Sequence, residues 1–311
     1  MQNFNFPLMA DNITAEDINT VIAFLKKMPR LTQSENVYKF EEEWSNWLGV
    51  KHSVYVNSGA SANLLTIAAL KYLKGEGGEI IVSPLNWVSD ITACIHNGFT
   101  PVFVDINPYN LAMNDEKIIA KLNKNTKAVI LTHIQGFNGL TDKLLYELKR
   151  RNIPLIEDVC EAHGATHKGK KCGSFGWASN FSFYFAHHMS TIEGGMISTN
   201  DSMLYEICRM LRSHGMTREC MDDSLKRKYI IDNPELNPEF IFAYSAYNCR
   251  GTEIGGLLGR SQLKRLDENN EKRKQNWNIF LNFIDCDKYR TDFLSEGSCN
   301  YAFALIMRKQ D

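Results

Sequence analysis

The sequence predicts an α/β fold in which a mostly parallel sheet is covered on both faces by helices. Short β-rich runs alternate with helix-length segments from about residue 53 onward, and several of these runs are apolar throughout. Strands that are buried on both faces have such continuous apolar runs, whereas half-exposed strands alternate. Helices are therefore expected above and below the sheet.

The first half of the chain supplies five predicted strands with helices between them. A helix is predicted at 61–73, because SANLLTIAALKYL follows the first run, and another at 141–151, before the fifth run. Because ligands bind beyond the carboxyl ends of parallel strands, a site is expected where these runs end. The five runs are SVYVN at 53–57, EIIVS at 79–83, PVFVDI at 101–106, AVILTH at 128–133 and PLIED at 154–158.

The second half begins with two more predicted strands, NFSFYF at 180–185 and MISTN at 196–200, and a helix-like segment at 204–215. The stretch 218–239 is polar, contains two prolines and has little periodicity, so a long loop is predicted there. A helical pattern then runs through 252–284, and the closing run YAFALIMRKQD is predicted to begin a strand.

This organisation predicts two domains, since single cores stop growing at about 250 to 300 residues and the chain has 311 residues. Residues 1–250, including an N-terminal segment, are expected to form a large α/β domain. Residues 251–311 are expected to begin a small C-terminal α+β domain, which is incomplete because one strand alone follows its helices.

Composition and charge exclude several classes of protein. Lys and Arg number 35 against 36 Asp and Glu, without a dense basic run, so no nucleic-acid partner is expected. The chain has no apolar stretch of membrane-spanning length and no signal peptide, which predicts a cytoplasmic protein without a membrane partner. The eight cysteines are scattered without a CxxC pair, which predicts reduced thiols and no metal centre.

Two motifs and one aromatic residue follow predicted strands. NSGASAN at 57–63 lets backbone N–H groups at a helix start approach a phosphate, or is an ordinary cap and turn. IEDVCEAHG at 156–164 places Asp158 at a strand end, either as the partner of a ring nitrogen or as a helix cap. Trp87, in PLNWVSD, begins a predicted helix, where it either stacks on a flat ring or fills the core.

Paired histidines, His187 and His188, lie in the run FSFYFAHHMSTIEGG at 181–195. An isolated histidine usually has a structural role. Here the Ser182 hydroxyl and the EGG turn at 193–195 lie close by in the sequence. Their proximity favours a functional site.

These motifs, together with YNCRGTEIGG at 247–256, resemble in order and spacing the DegT-type sugar aminotransferase family of fold-type I pyridoxal phosphate enzymes. That family usually has a lysine six residues before the acidic residue of its EGG turn, and this chain has His187 at that position. A lysine amine binds the cofactor aldehyde covalently, whereas an imidazole does not. The resemblance thus implies a loosely held cofactor and a catalytic His187.

The histidine is similar to that of the family branch that removes the C3 hydroxyl from nucleotide-linked 4-keto-6-deoxy sugars, as is HGMTR at 214–218. A sister branch that depends on an iron–sulfur cluster also has paired histidines, but it requires clustered cysteines. Only Cys220 and Cys249 lie in the corresponding region, so that branch is set aside.

The resemblance also implies which residues hold pyridoxal 5′-phosphate. Asn248 is expected to reach the phosphate from the neighbouring subunit of a homodimer. The residues expected from the same subunit are Asp158 at the pyridine nitrogen, Glu161 near the ring hydroxyl, Trp87 on the ring face, and Gly59, Ala60 and Ser182 at the phosphate.

The implied reaction has two halves. L-Glutamate first donates its amino group to the cofactor, which becomes pyridoxamine 5′-phosphate, and His187 moves the proton. The nucleotide-linked keto-sugar then loses its C3 hydroxyl, again with His187 acting on the proton, and hydrolysis releases ammonia. His214 either assists departure of the hydroxyl or has a structural role.

Two other functions stay open. A plain nucleotide-sugar aminotransferase differs in keeping the C3 hydroxyl, although such enzymes normally use the lysine that is absent here. A degenerate paralogue keeps the fold without catalysis; family members commonly continue beyond the equivalent of Asp311, so the chain is expected to be truncated. The presence of Asp158, Trp87, Ser182 and Asn248 together favours an intact cofactor site.

Overall fold

A computed structural model describes residues 12–308 of the chain. Its strands are β1 (His52–Val56), β2 (Glu79–Val82), β3 (Thr100–Phe103), β4 (Thr126–Thr132), β5 (Leu155–Asp158), β6 (Thr166–His167), β7 (Lys170–Lys171), β8 (Ala178–Ser182) and β9 (Gly195–Thr199). Within these residues, seven strands form one sheet in the order β1-β9-β8-β5-β4-β2-β3, and β6 pairs with β7. Strand β9 runs antiparallel to its two neighbours, and the other pairs of the sheet are parallel. The predicted mostly parallel sheet is confirmed.

Helices lie on both faces of this sheet. Successive side chains of β1 show the two layers: Val54 and Val56 belong to one buried apolar cluster, whereas Tyr55 belongs to another. The described part of the chain contains the helices α1 (Ala15–Leu25), α2 (Glu35–Leu48), α3 (Gly59–Lys74), α4 (Val88–His96), α5 (Asp115–Lys121), α6 (Asp142–Arg151), α7 (Ser202–Arg212), α8 (Asp223–Asp232), α9 (Glu253–Leu263) and α10 (Leu266–Phe283). None of these helices is long and apolar enough to cross a membrane.

Helix α2 is capped by a carboxylate from far along the chain. Glu253 accepts hydrogen bonds from the backbone N–H groups of Ser34, Asn36 and Val37 at 2.8 to 3.0 Å. The first N–H groups of a helix have no partner within it, so an acceptor placed there stabilises the helix start. A Cβ added at Gly259 of α9 would lie 2.4 Å from Phe40 Cζ, which shows how closely α9 packs on α2.

An ion group is buried between α2, α7 and β1. Arg212 is fully buried, and its Nη1 donates to Glu41 Oε1 at 2.6 Å and to the Tyr55 carbonyl at 2.7 Å. Arg209 Nη1 approaches the other oxygen of Glu41 at 3.6 Å. A buried cation is tolerated where a carboxylate balances it, so Glu41 holds these three elements together.

The long loop predicted at 218–239 was wrong, because α8 occupies Asp223–Asp232 within it. The Asp222 side chain accepts hydrogen bonds from the backbone N–H groups of Ser224 and Leu225 and so starts the helix. No residue of α8 is buried, so the sequence carries little of the periodicity by which a helix is predicted.

The helical pattern at 252–284 is also divided, into α9 and α10. Arg265 has non-helical backbone angles between them, and its guanidinium donates to Asp17 Oδ1 at 3.0 Å. The strand predicted at the end of the chain is reduced, in the described part, to one bridge between Tyr289 and Met307, and residues 309–311 lie outside the described residues. The domain boundary at residue 250 stays a prediction.

Candidate active site

A cavity of about 510 Å³ lies at the edge of the sheet where the parallel strands end. It is lined by Ser58 after β1, Trp87 after β2, Thr132 at the end of β4, Asp158 at the end of β5 and Ser182 at the end of β8. This is the edge at which α/β proteins bind ligands. The volume lies within the range of small-molecule sites, about 300 to 1,000 Å³.

The amino terminus of α3 faces this cavity. Ser58 caps the helix, its hydroxyl accepting from the backbone N–H of Ser61 at 3.0 Å, and Gly59 and Ala60 line the cavity beside it. A Cβ at Gly59 would lie 2.6 Å from Ser182 Cβ, so only glycine lets the helix start lie against that serine. Helix N–H groups and a hydroxyl converge here, as a phosphate requires.

Asp158 and Trp87 do not have the purely structural roles that the sequence left open for them. Asp158 is buried and lines the cavity, and its Oδ1 accepts from the Cys160 N–H at 2.9 Å in a turn, so it is not a helix cap. Trp87 precedes α4 and is 73% exposed, so it is not a core aromatic. A buried carboxylate and an open indole face therefore border the same space.

Glu161 and His187 line the cavity as well. Glu161 accepts a hydrogen bond from the backbone N–H of Gln135 at 2.8 Å, and burial, aided by the Asp158 charge, raises its pKa. Burial, with a smaller contribution from the Arg273 charge, lowers the pKa of His187 to about 4. The His187 imidazole is therefore neutral at pH 7.

His188 is not among the residues that line the cavity. Its ring is buried, and its Nε2 lies 3.2 Å from Cys299 Sγ. The backbone turn that presents His187 thus buries its neighbour. Of the paired histidines, the one selected by spacing from the EGG turn lines the cavity.

Behind His187 lies a third buried histidine, His163. Its ring centroid is 6.0 Å from that of His187 and 5.4 Å from that of His188. Aromatic side chains surround the His163 ring. Neither of its nitrogens has a well-formed hydrogen bond in the described structure. Burial, followed by the charge of the neighbouring histidine, lowers the pKa of His163.

We expect the variant His163→Phe to be less sensitive to acid than the parent protein. A histidine with a lowered folded pKa is neutral when folded but binds a proton when unfolded below about pH 6.5, so it destabilises the fold as pH falls. Between pH 6.5 and 5, the free energy of unfolding should fall by about 2 kcal/mol less in the variant than in the parent protein. Urea unfolding at pH 7.5 and pH 5 measures this difference, and an equal loss in both proteins contradicts it.

The structure does not bring His214 and Asn248 to this cavity. Both side chains are exposed, and their segments are joined by a bridge between Ser213 and Asn248 and by a hydrogen bond from the His214 N–H to the Tyr247 carbonyl. His214 is not among the residues that line the cavity, and its expected role stays a prediction. Asn248 was expected to act on a neighbouring subunit, and that expectation stays a prediction.

Several lining residues were not predicted. Thr132 lies near the end of a predicted strand, so the rule that ligand sites follow strand ends could have identified it. Tyr301 comes from the end of the described chain, where its backbone N–H donates to the Gln135 carbonyl. Asp90 lies directly behind the lining residues, and nothing in its local sequence marks it.

A group of potential metal ligands, His133, Glu157 and Cys172, lies within the sheet region of the described chain. Glu157 already accepts from the backbone N–H groups of Gly173, Phe175 and Gly176 and approaches His133 Nε2 at 3.2 Å. Since protein donors fill the carboxylate, we interpret this group as a structural hydrogen-bond network.

Known proteins resemble this chain over most of its length. The model of the DegT/DnrJ/EryC1/StrS aminotransferase family matches residues 11–306. GDP-4-keto-6-deoxy-D-mannose 3-dehydratase of Yersinia pseudotuberculosis is 31% identical over an aligned length of 313 residues, and the alignment covers 98% of this chain and 78% of that protein. GDP-perosamine synthase of Caulobacter vibrioides is 34% identical over 239 residues, which cover 77% of this chain and 59% of that protein.

Solved structures are similar as well. The crystal structure of GDP-4-keto-6-deoxymannose-3-dehydratase with a trapped PLP-glutamate geminal diamine superposes with a TM-score of 0.87 at 29% identity. The superposition covers 99% of this chain and 80% of that one.

Proposed function

The chain belongs to the DegT/DnrJ/EryC1/StrS aminotransferase family, and on that premise we propose that it is a 3-dehydratase of a nucleotide-linked 4-keto-6-deoxy sugar. Its cofactor is pyridoxal 5′-phosphate, alternating with pyridoxamine 5′-phosphate, and its fold is that of the fold-type I enzymes. L-Glutamate is the proposed amino donor. The pathway we propose is deoxysugar biosynthesis.

The residues around the cavity fit this cofactor. When bound, it carries an amino group and withdraws electrons into its pyridine ring. The buried Asp158 carboxylate would hold the ring nitrogen protonated, and Glu161 would lie near the ring hydroxyl. The start of α3 and the Ser182 hydroxyl would hold the phosphate, and the exposed Trp87 indole would cover one ring face.

The observation that carries the dehydratase proposal is His187. Among the residues that the structure describes, those that line the cavity include this histidine and no lysine. A neutral imidazole accepts and returns a proton in both halves of the reaction, and it does not compete with the amino donor or the sugar for the cofactor. Loss of the C3 hydroxyl needs only such a proton transfer beside an electron sink.

The alternative function is that of an aminotransferase. Relatives of both kinds share similar identity with this chain, 31% for a 3-dehydratase and 34% for GDP-perosamine synthase. The same cavity residues serve either outcome, because the two reactions differ after the amino group has joined the sugar. His187 in place of a lysine favours the dehydratase.

We also propose that two copies of the chain form a homodimer. Asn248 and His214 are exposed, and the bridge between Ser213 and Asn248 places them side by side on one surface. In a dimer, this surface would complete the partner's cavity, with Asn248 at the phosphate. A cytoplasmic location remains a prediction from the sequence.

Product analysis tests the dehydratase proposal. The purified chain is incubated with pyridoxal 5′-phosphate, L-glutamate and GDP-4-keto-6-deoxymannose, and ammonia and the sugar product are measured. We expect ammonia in molar excess over enzyme together with a 3-deoxy sugar, and neither when glutamate is omitted. A 4-amino sugar without ammonia would instead establish the aminotransferase, and absence of both products would contradict catalysis.

A further inference from the structure

The indole of Trp87 depends on the turn before α4 for its place at the cavity. Trp87 is 73% exposed, so packing against other side chains of the chain restrains it little. It stands immediately before α4, where a short polar side chain usually caps a helix, and its own side chain forms no such cap. The position of the indole is therefore set by the backbone of this turn.

The side chain of Asn86 holds the turn through both of its polar atoms. Its Oδ1 accepts a hydrogen bond from the Trp87 N–H at 2.7 Å, and its Nδ2 donates to Asp90 Oδ2. The first bond restrains the backbone of the exposed tryptophan, and the second ties that backbone to the first turn of α4. One amide group thus links Trp87 to a residue inside the protein.

Asp90 is a firm anchor for that amide, because it is fully buried. Asn63 Nδ2 donates to its Oδ1 at 2.6 Å, and Thr132 Oγ1 donates to its Oδ2 at 3.1 Å. These donors come from α3 and from the end of β4. Hydrogen bonds among buried polar side chains restrict their movement, so the anchor is fixed relative to the sheet and to α3.

Asn86 lines the cavity, as Trp87 does. A residue in that place either contacts the bound molecule or positions a neighbour that does. Both the nitrogen and the oxygen of the Asn86 amide are already hydrogen-bonded to groups of the protein. An amide engaged at both ends favours the second role.

We propose that Asn86 is a positioning residue for Trp87: its amide, anchored on the buried Asp90 carboxyl group, fixes the backbone from which the indole covers the cofactor ring. The inference rests on the proposed contact between Trp87 and the ring face. It applies equally to a 3-deoxy and to a 4-amino product, because both reactions use the same bound ring.

The dissociation constant of pyridoxal 5′-phosphate gives the first test. It should rise about 10-fold in Trp87→Ala, which removes the indole from the ring face. It should rise about 3- to 10-fold in Asn86→Ala and in Asn86→Leu, because the indole is present in both but is no longer held. The leucine keeps a side chain of similar volume and forms no hydrogen bond. An unchanged dissociation constant in these two variants overturns the proposal.

A double variant separates positioning from direct contact. If Asn86 acts through the indole, Asn86→Ala has no further effect once Trp87 is alanine. Trp87→Ala and the double variant should then bind the cofactor within about twofold of each other. Effects that multiply in the double variant would show that Asn86 contacts the cofactor itself, and the proposal would be wrong.

Asn97, at the other end of α4, supplies the matched control. Its Nδ2 donates to the Ala93 carbonyl at 2.9 Å, so Asn97→Ala also removes an amide hydrogen bond from this helix. Asn97→Ala should leave the dissociation constant and the circular dichroism of the bound cofactor unchanged. Asn86→Ala should shift that circular dichroism toward the spectrum of Trp87→Ala. Equal effects of the two asparagine variants would mean that only the stability of α4 matters, which contradicts positioning.

The same titrations distinguish this inference from the proposed function. A parent protein that does not bind pyridoxal 5′-phosphate contradicts the proposed function itself. A parent protein that binds it no more tightly than Trp87→Ala does contradicts the contact at the ring face, and with it the role of Asn86, but leaves the dehydratase proposal standing.

Discussion

Replacing His187 with asparagine should slow amino transfer from glutamate to the cofactor by about 10² to 10⁴ fold. Asparagine keeps a polar side chain of similar size but has no basic nitrogen that could accept a proton from the substrate. Cofactor affinity should be unchanged, because the residues proposed to hold the phosphate and the ring are other residues of the cavity. Stopped-flow absorbance after mixing with glutamate measures the conversion of pyridoxal to pyridoxamine phosphate.

The neighbouring histidine is a matched control for this experiment. His188→Gln changes the adjacent residue, which is buried against Cys299 and does not line the cavity. Its rate of amino transfer should stay close to that of the parent protein. Equal losses in the two variants would show that the paired histidines matter for folding of the turn and would remove His187 from the reaction.

Replacing Glu41 with glutamine should lower the free energy of unfolding by about 3 to 5 kcal/mol. Glutamine keeps the shape but removes the charge that balances Arg212, which is fully buried. The Nε and Nη2 atoms of Arg212 have no partner in the described structure, so no other group takes over the lost charge. A buried cation without a counter-charge favours the unfolded state, where water solvates it.

Glu42 supplies the control, because it lies next to Glu41 on α2 but is exposed. Glu42→Gln should change the free energy of unfolding by less than about 0.5 kcal/mol. Urea titrations of the three proteins at pH 7.5 measure both effects. If Glu41→Gln proved as mild as Glu42→Gln, the ion group would not stabilise the contact among α2, α7 and β1.

The site residues that follow strand ends could be predicted from the sequence. Asp158 and the glycine motif at 57–63 come directly after apolar runs, and parallel strands bring their ends to one edge. Local sequence therefore determines where these residues lie. His187 was found differently, through its spacing from the EGG turn in a resembling family.

Other parts depend on contacts between distant segments. Tyr301 reaches the cavity because the Cys299 N–H donates to the Gly136 carbonyl and the Tyr301 N–H donates to the Gln135 carbonyl. No feature of the surrounding sequence predicts either hydrogen bond. Asp90 is similarly defined by neighbours from three other segments, so its surroundings follow from the fold and not from its helix.

The pairing of β1 with β9 also has a consequence for how the chain is made. Strand β1 leaves the ribosome about 140 residues before the partner to which it is hydrogen-bonded. At 5 to 20 residues per second, this interval lasts roughly 7 to 30 s. The interval is longer for helix α2, because Glu253, which caps it, is synthesised after β9. Such late, long-range pairing slows folding, and the apolar face of the nascent amino-terminal segment is exposed meanwhile to chaperones.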